Sequence, residues 1–126
     1  MFIYTGYFAH LKKYQENDLF PISIARKPPE FFNGFGYRSY EPLFPSESLL
    51  RDFKNNKVSV EKYIERYAKE TLEILDIDKV VEELRQISSY RNIVLLCYEA
   101  PNYFCHRFIV SSWLVQNEFW CEEYYI

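Results

Sequence analysis

Hydrophobic and polar positions repeat with two different periods along the chain, and these periods predict its strands and helices. Short apolar runs predict four strands, over residues 2–5, 20–25, 92–97 and 119–125. Apolar residues at helical spacing predict helices over residues 7–17, 46–56, 60–75, 78–87 and 104–117. Strands separated by helices are typical of an α/β fold, so we predict a small, mostly parallel sheet of about four strands with helices on both faces. With 126 residues, the chain is predicted to be a single domain, 1–126.

The residues best suited to binding or catalysis follow the carboxyl ends of three predicted strands. In open α/β sheets, ligands bind beyond the carboxyl ends of the strands. When the strands are parallel, all of these ends lie at the same edge of the sheet. The residues expected there are Thr5 and Gly6 after the first strand, Arg26 and Lys27 after the second, and Cys97 and Glu99 after the third, followed by Cys105, His106 and Arg107. We therefore predict that these residues, although scattered along the chain, surround one crevice.

A long aromatic segment, residues 28–45, follows the second predicted strand. It contains four prolines and six aromatic residues, among them Phe32 and Tyr37. Loops of this length in compact domains usually cover or bind something. Two interpretations follow: a hydrophobic flap packed on the sheet, or a lid in which Phe32 and Tyr37 stack on a flat ligand.

Composition and charge narrow the class of protein. A formal net charge of −3 argues against a broad positively charged surface that binds nucleic acid. A protein with this net charge can still have a local basic patch. We find no apolar run near the roughly 18 residues of a membrane-spanning helix, and the first residues lack the features of a signal peptide. These features predict a cytoplasmic protein that does not bind membranes. Three cysteines, an odd number, fit reduced thiols better than a disulfide framework.

The segment CYEAPNYFCHR, residues 97–107, concentrates the candidate chemistry. Cys105 is expected in the first turn of a helix, where free backbone N–H groups and the helix dipole stabilise a thiolate or a bound anion. Arg26 and Arg107 would add contacts to a phosphate or carboxylate. In a catalytic reading, Cys105 is the nucleophile, His106 carries protons, and Glu99 orients a partner or acts as a base. In the alternative reading, Cys97 is a small core residue and Arg107 pairs with Glu99.

A zinc site is the rival use of the same residues. Cys97, Cys105, His106 and Cys121 offer four ligands, but their C-x7-C-H spacing differs from the C-x2-4-C of usual structural sites. Adjacent side chains at a helix start are also expected to point in different directions. We therefore expect no metal, and no other cofactor, since no phosphate-binding or dinucleotide-binding glycine motif stands out.

Residues 95–114, LLCYEAPNYFCHRFIVSSWL, resemble the domain-of-unknown-function 488 family. That family's pattern is Leu-Leu-Cys-x-Glu, a short turn, and Cys-His-Arg before an amphipathic helix. The first strand ending in Thr5-Gly6 and the stretch 23–32 also fit. The chain departs from the pattern at Ile24 and Tyr7, where many members have aspartate and histidine. The resemblance implies that the family's signature positions are Arg26, Cys97, Glu99, Cys105, His106 and Arg107, but it names no reaction.

Three functional hypotheses remain open at this stage. The first is a pocket for an anionic small molecule of nucleotide-like type, with or without catalysis by the cysteine group. The second is a non-catalytic binder that sequesters such a ligand or holds a protein partner. The third is nucleic-acid processing or modification, against which the net negative charge argues. Apolar and aromatic residues on the last predicted strand also suggest a sheet edge that could pair in a homodimer.

Overall fold

The structure, a computed structural model, describes residues 1–98 and 104–126. The strands are β1 (Ile3–Tyr7), β2 (Phe20–Ser23), β3 (Arg38–Ser39), β4 (Ile93–Cys97) and β5 (Cys121–Glu123). The helices are α1 (Leu11–Glu16), α2 (Glu47–Lys54), α3 (Val60–Tyr67), α4 (Ile77–Ile87) and α5 (Arg107–Gln116). A π-helical turn, Ala68–Leu72, continues α3, and short 3-10 turns lie at Phe8–His10, Glu30–Phe32 and Glu41–Leu43.

The five strands form one sheet in the order β3-β2-β4-β1-β5, and every pair in it is parallel. This confirms the predicted α/β class. β4 lies at the centre and is buried along its whole length, as its apolar sequence predicts. The fifth strand is β3, a two-residue strand within the aromatic segment that the sequence pattern did not reveal. β5 lies at one edge of the sheet.

Side-chain caps define where three of the helices begin. The Ser46 hydroxyl accepts the Leu49 backbone N–H at the start of α2, and the Ser59 hydroxyl accepts the Lys62 N–H at the start of α3. The Asp76 carboxylate accepts the Asp78 N–H at the start of α4. Each cap satisfies a backbone donor that has no partner inside its own helix. Serine and aspartate are common directly before a helix, because their side chains can accept these N–H groups.

The two faces of the sheet bury different residues, because alternate side chains along a strand point in opposite directions. On the face that we call the helical face, Ile3, Ile22, Ile93 and Leu95 pack against α2, α3, α4 and α5. On the face that we call the aromatic face, Val94 and Leu96 pack against α1 and its neighbour Phe8, with rings of segment 28–45 around them. Much of this segment therefore acts as a hydrophobic cover for the aromatic face.

None of the helices in the two described ranges is long and apolar enough to cross a membrane.

Candidate functional site

A pocket of about 430 Å³ opens on the helical face of the sheet, at the carboxyl ends of β2 and β4. This is the place where open α/β sheets bind their ligands. Its lining from the ends of the strands and the start of α5 is Ala25, Arg26, Lys27, Cys97, Tyr98, Phe104, Cys105 and His106. Its lining from α2, α3 and the segment before α2 is Pro45, Leu50, Phe53, Lys54 and Tyr63.

His106 lies buried at the floor of this pocket and has a defined tautomer. Its Nε2 atom is 2.7 Å from the carbonyl oxygen of Ile24, which can only accept a hydrogen bond. Nε2 therefore carries the proton, and the lone pair of Nδ1 faces two sulfur atoms. Nδ1 is 3.3 Å from Cys97 Sγ and 4.0 Å from Cys105 Sγ. Burial, and to a lesser degree the charge of Arg107, lowers the pKa of His106 to about 4, so the ring is neutral at ordinary pH.

Cys97 and Cys105 are joined by a disulfide, and their Cα atoms are 6.7 Å apart. The expectation of reduced thiols is wrong for this pair. An odd number of cysteines predicts at least one thiol outside any disulfide, and that residue is Cys121, which is buried in β5. The expectation failed because it weighed the number of cysteines and not the fold, which brings the end of β4 against the start of α5.

Cys105 lies two residues before α5, not in its first turn as predicted, because the helix begins at Arg107. This position has a consequence for side-chain direction. Cys105 and His106 are adjacent in the chain, yet Cys105 Sγ and His106 Nδ1 converge to 4.0 Å. The expectation that these two adjacent side chains point in different directions is therefore wrong.

Arg107 is fully buried and forms an ion pair with Glu123 of β5. Its Nε donates to Glu123 Oε1 at 3.1 Å and its Nη2 to Oε2 at 3.0 Å. The Thr5 hydroxyl donates to the same Oε1 at 2.6 Å. Neither Thr5 nor Arg107 is among the described residues that line the pocket. The structure thus places both in a buried polar group that ties α5 to β1 and β5.

Gly6 gives room to a tyrosine on the aromatic face. A Cβ atom at Gly6 would collide with the ring and hydroxyl of Tyr14 and would lie 2.9 Å from a methyl group of Val94. The Tyr14 hydroxyl accepts the backbone N–H of Tyr7 at 3.1 Å. Burial raises the pKa of Tyr14 to about 12. Gly6 therefore contacts the buried side of the sheet opposite to the pocket.

Three cationic side chains line the pocket, from Arg26, Lys27 and Lys54. Arg26 is held in place, since its Nε donates to the Pro45 carbonyl oxygen at 2.7 Å and its guanidinium lies over the Phe44 ring. Lys27 and Lys54 are exposed. None of the lining residues in the described part of the chain is acidic. The pocket thus combines positive charge with a protein of net charge −3.

Aromatic rings line the pocket, but they come from the helices and the start of α5. Phe53, Tyr63 and Phe104 contact one another edge to face, with ring centroids 5.0 to 5.6 Å apart. Phe32 and Tyr37, the predicted stacking residues, pack instead around Phe8 on the aromatic face. Neither is among the described lining residues. Of the rings in this segment, Phe32, Phe35 and Tyr37 pack on the aromatic face, whereas Tyr40 packs in the core of the helical face.

Several residues of the site were not predicted from the sequence. Phe53, Lys54 and Tyr63 were assigned to helices without a role in the pocket, because which helix covers a strand end depends on tertiary packing. Glu123 could have been found from the sequence. It lies two residues after buried Cys121 in β5, so both side chains point to the same face of the sheet, and an acidic group there needs a partner. Glu99, predicted to be catalytic, lies outside the described residues.

The fold and this site define a class: a small parallel α/β protein with a buried cysteine–histidine cluster at the carboxyl ends of its strands. A family model, DUF488-N3a, described as the active DUF488-N3 subclade, matches residues 7–118. The chain therefore belongs to the DUF488 family, as the resemblance of residues 95–114 predicted. Comparison with curated proteins and with solved structures gave no match.

Proposed function

We propose that this protein binds an anionic small molecule of nucleotide type in the pocket on its helical face. The observation that carries the proposal is the charge of the pocket. Arg26, Lys27 and Lys54 line it without a described acidic residue, although acidic residues outnumber basic ones in the chain. Positive charge of this kind attracts anionic ligands.

The size and the walls of the pocket favour a ligand with an aromatic part. About 430 Å³ lies within the range of pockets for small molecules and cofactors. Phe53, Tyr63 and Phe104 provide apolar ring surface on the side of the helices. Exposed lysines and one anchored arginine provide the charged side. A nucleotide combines these two chemistries, since its base is flat and its phosphate is anionic.

A catalytic form of this proposal uses the cluster at the floor. When the cysteines are reduced, the Nδ1 lone pair of His106 can accept a hydrogen bond from the thiol of Cys97 or Cys105, because both sulfur atoms lie within 4.0 Å. Cys105 would then be the nucleophile and His106 the proton carrier, with Glu99 as an orienting group or base. The description of the matched subclade as active agrees with this form.

Binding can be tested by thermal shift and calorimetry with inorganic phosphate, adenosine, AMP and ADP. A ligand that binds only the folded state stabilises it by about 2.7 kcal/mol at a concentration of 100 Kd. We expect AMP or ADP to raise the melting temperature. Adenosine and phosphate should have smaller effects, since adenosine can contact only the aromatic rings and phosphate only the cationic side chains. If none of the phosphate compounds raises the melting temperature, the proposal fails.

Two lysine variants locate the binding. Lys54→Gln removes a charge from the pocket, whereas Lys57→Gln removes an exposed charge three residues on, outside the lining. A charge-assisted hydrogen bond contributes about 1.5 kcal/mol, so Lys54→Gln should weaken AMP or ADP binding about tenfold. Lys57→Gln should leave the affinity unchanged. Equal effects of the two variants would mean that binding occurs elsewhere or through net charge alone.

Cys105→Ser separates binding from catalysis. The serine variant nearly keeps the size of the side chain and removes the thiol, so a binder retains its affinity for AMP or ADP. In the catalytic form, reduced wild-type protein converts the bound nucleotide and the variant binds it without conversion. Product formation by the variant at the wild-type rate would exclude Cys105 as the nucleophile.

A further inference from the structure

Three soft or borderline metal ligands converge at the floor of the pocket. Cys97 Sγ, Cys105 Sγ and His106 Nδ1 all lie within 4.8 Å of one another, and all three residues are buried. Thiolate and imidazole are the ligands that zinc prefers in proteins. With Zn–S near 2.3 Å and Zn–N near 2.1 Å, a tetrahedral ion places sulfur and nitrogen about 3.6 Å apart. The two sulfur–nitrogen distances here, 3.3 and 4.0 Å, lie on either side of that value.

The hydrogen bond on the far side of the histidine supports a ligand role. Metal-binding histidines almost always donate their second ring N–H to a carbonyl or carboxylate, which fixes the ring and leaves the other lone pair for the metal. His106 does this through Nε2 and the Ile24 carbonyl oxygen at 2.7 Å. Its Nδ1 lone pair therefore faces the two sulfur atoms, as a ligand to a shared ion requires.

We propose that Cys97, Cys105 and His106 form a zinc site that assembles when their disulfide is reduced. A dithiol reductant transfers two electrons and two protons to the disulfide, which gives two thiols and the oxidised reductant. Zinc then binds both sulfurs as thiolates and His106 Nδ1, and the two thiol protons pass to solvent. In the disulfide, the same sulfur atoms no longer offer thiolate ligands. The Cα–Cα distance of 6.7 Å lies within the range that a disulfide tolerates.

Among residues 1–98 and 104–126, no fourth ligand joins these three, and the remaining position of the ion faces the pocket. All three ligands line the pocket, so an ion held by them is accessible from its interior. Zinc sites with three protein ligands and one open position are typical of catalysis, whereas structural sites have four protein ligands. The open position would place a Lewis acid beside the cationic rim formed by Arg26, Lys27 and Lys54. The metal site does not depend on the proposed nucleotide ligand, and it competes with the use of Cys105 as a free nucleophile.

The test is a titration of the purified full chain with Co²⁺ and then Zn²⁺, without any phosphate ligand. The chain is prepared in two forms, reduced and disulfide-bonded, so that the oxidised protein serves as a control of identical sequence. We expect the reduced form to bind one Co²⁺ with thiolate charge-transfer and tetrahedral visible bands, which Zn²⁺ abolishes. The oxidised form should show neither band, and renewed reduction should restore both.

Variants assign the ligands. His106→Asn should weaken Zn²⁺ binding by more than the roughly 10- to 100-fold that loss of a ligand's hydrogen-bond partner costs. His10→Asn and Cys121→Ser, the matched controls, should bind as the wild type does, because neither residue belongs to the cluster. Circular dichroism follows folding. If reduction alone unfolds the chain, recovery of the fold with Zn²⁺ supports the proposal.

Three results would overturn the zinc site. They are a reduced chain that gives no thiolate band with Co²⁺, an oxidised chain that gives the same band, and loss of the band in Cys121→Ser. A reduced chain that stays unfolded in the presence of Zn²⁺ counts against it equally. Failure of AMP or ADP to bind does not affect this titration, so the two proposals fail independently.

Discussion

The buried ion pair between Arg107 and Glu123 gives the sharpest stability prediction. Glu123→Gln keeps the shape of the side chain but removes its negative charge. The carboxylate now accepts two N–H groups of Arg107 and the hydroxyl of Thr5. In the variant, an NH2 group takes the place of one accepting oxygen, and the buried guanidinium loses its ion pair with residue 123.

The magnitude follows from burial. The side chain of Arg107 is 0% exposed and that of Glu123 is 6% exposed, so water cannot replace the lost charge. Removing one partner of a buried pair costs about 3–5 kcal/mol, and we expect about 3 kcal/mol because one oxygen remains as an acceptor. This is a large part of the roughly 5–15 kcal/mol that stabilises a typical domain. For a chain of this length it corresponds to a fall of about 12 °C in melting temperature.

The assay is urea unfolding at neutral pH, with two comparison variants. Glu122→Gln changes the preceding residue of β5, which is exposed, and should alter the free energy of unfolding by less than about 0.5 kcal/mol. Thr5→Val removes one hydrogen bond and leaves the ion pair, so it should cost about 1 kcal/mol. The reasoning is refuted if Glu123→Gln and Glu122→Gln unfold at the same urea concentration.

Three further predictions concern the fold around the site. Gly6→Ala forces a methyl group into the ring of Tyr14 and should cost about 1–3 kcal/mol in urea unfolding; Gly34→Ala, where the added Cβ meets nothing within 4 Å, should cost only the roughly 1 kcal/mol of its positive φ. The raised pKa of Tyr14, about 12, favours the neutral phenol in the folded state, so its contribution of about 2–3 kcal/mol is present below pH 10 and lost as pH rises toward 12. Tyr14→Phe should therefore reduce the alkaline slope of the stability profile by the share of one proton, since other buried tyrosines with raised pKa values keep theirs; an unchanged slope would exclude this cause. Asp76→Ala removes the cap of α4 and should cost about 1 kcal/mol in the same unfolding assay, whereas the same change at exposed Glu73 should cost little.

The sequence predicted the fold where local signals are strong. The helices predicted over residues 46–56, 60–75 and 78–87 and the fully apolar strand β4 are all present, because each depends on a pattern among neighbouring residues. β3 was not predicted, since two exposed residues carry no periodic pattern and pair with β2 only once the aromatic segment has folded over. The start of α5 was placed too early because the apolar stripe extends to Phe104, whereas the first helical residue is Arg107.

Part of the candidate site was predicted from the topology of the sheet. Topology brings Arg26, Cys97, Cys105 and His106 together, because strand ends converge in any parallel sheet. Topology alone does not say on which face of the sheet a pocket opens. The aromatic segment was therefore considered as a lid. In the structure its rings Phe32, Phe35 and Tyr37 cover the aromatic face, and α2 and α3 complete the pocket.

The three consecutive residues before and at the start of α5 have different tasks, and their geometry explains why they occur together. His106 reaches the carbonyl of Ile24 just beyond β2, and Arg107 reaches Glu123 of β5. In the sheet order, β4 and β1 lie between these two anchors, so the start of α5 is fixed across four strands. This anchoring holds Cys105 against Cys97 at the end of β4. Weakening the Arg107 anchor should therefore loosen the cluster at the pocket floor, which connects the stability of the ion pair to the geometry of the candidate site.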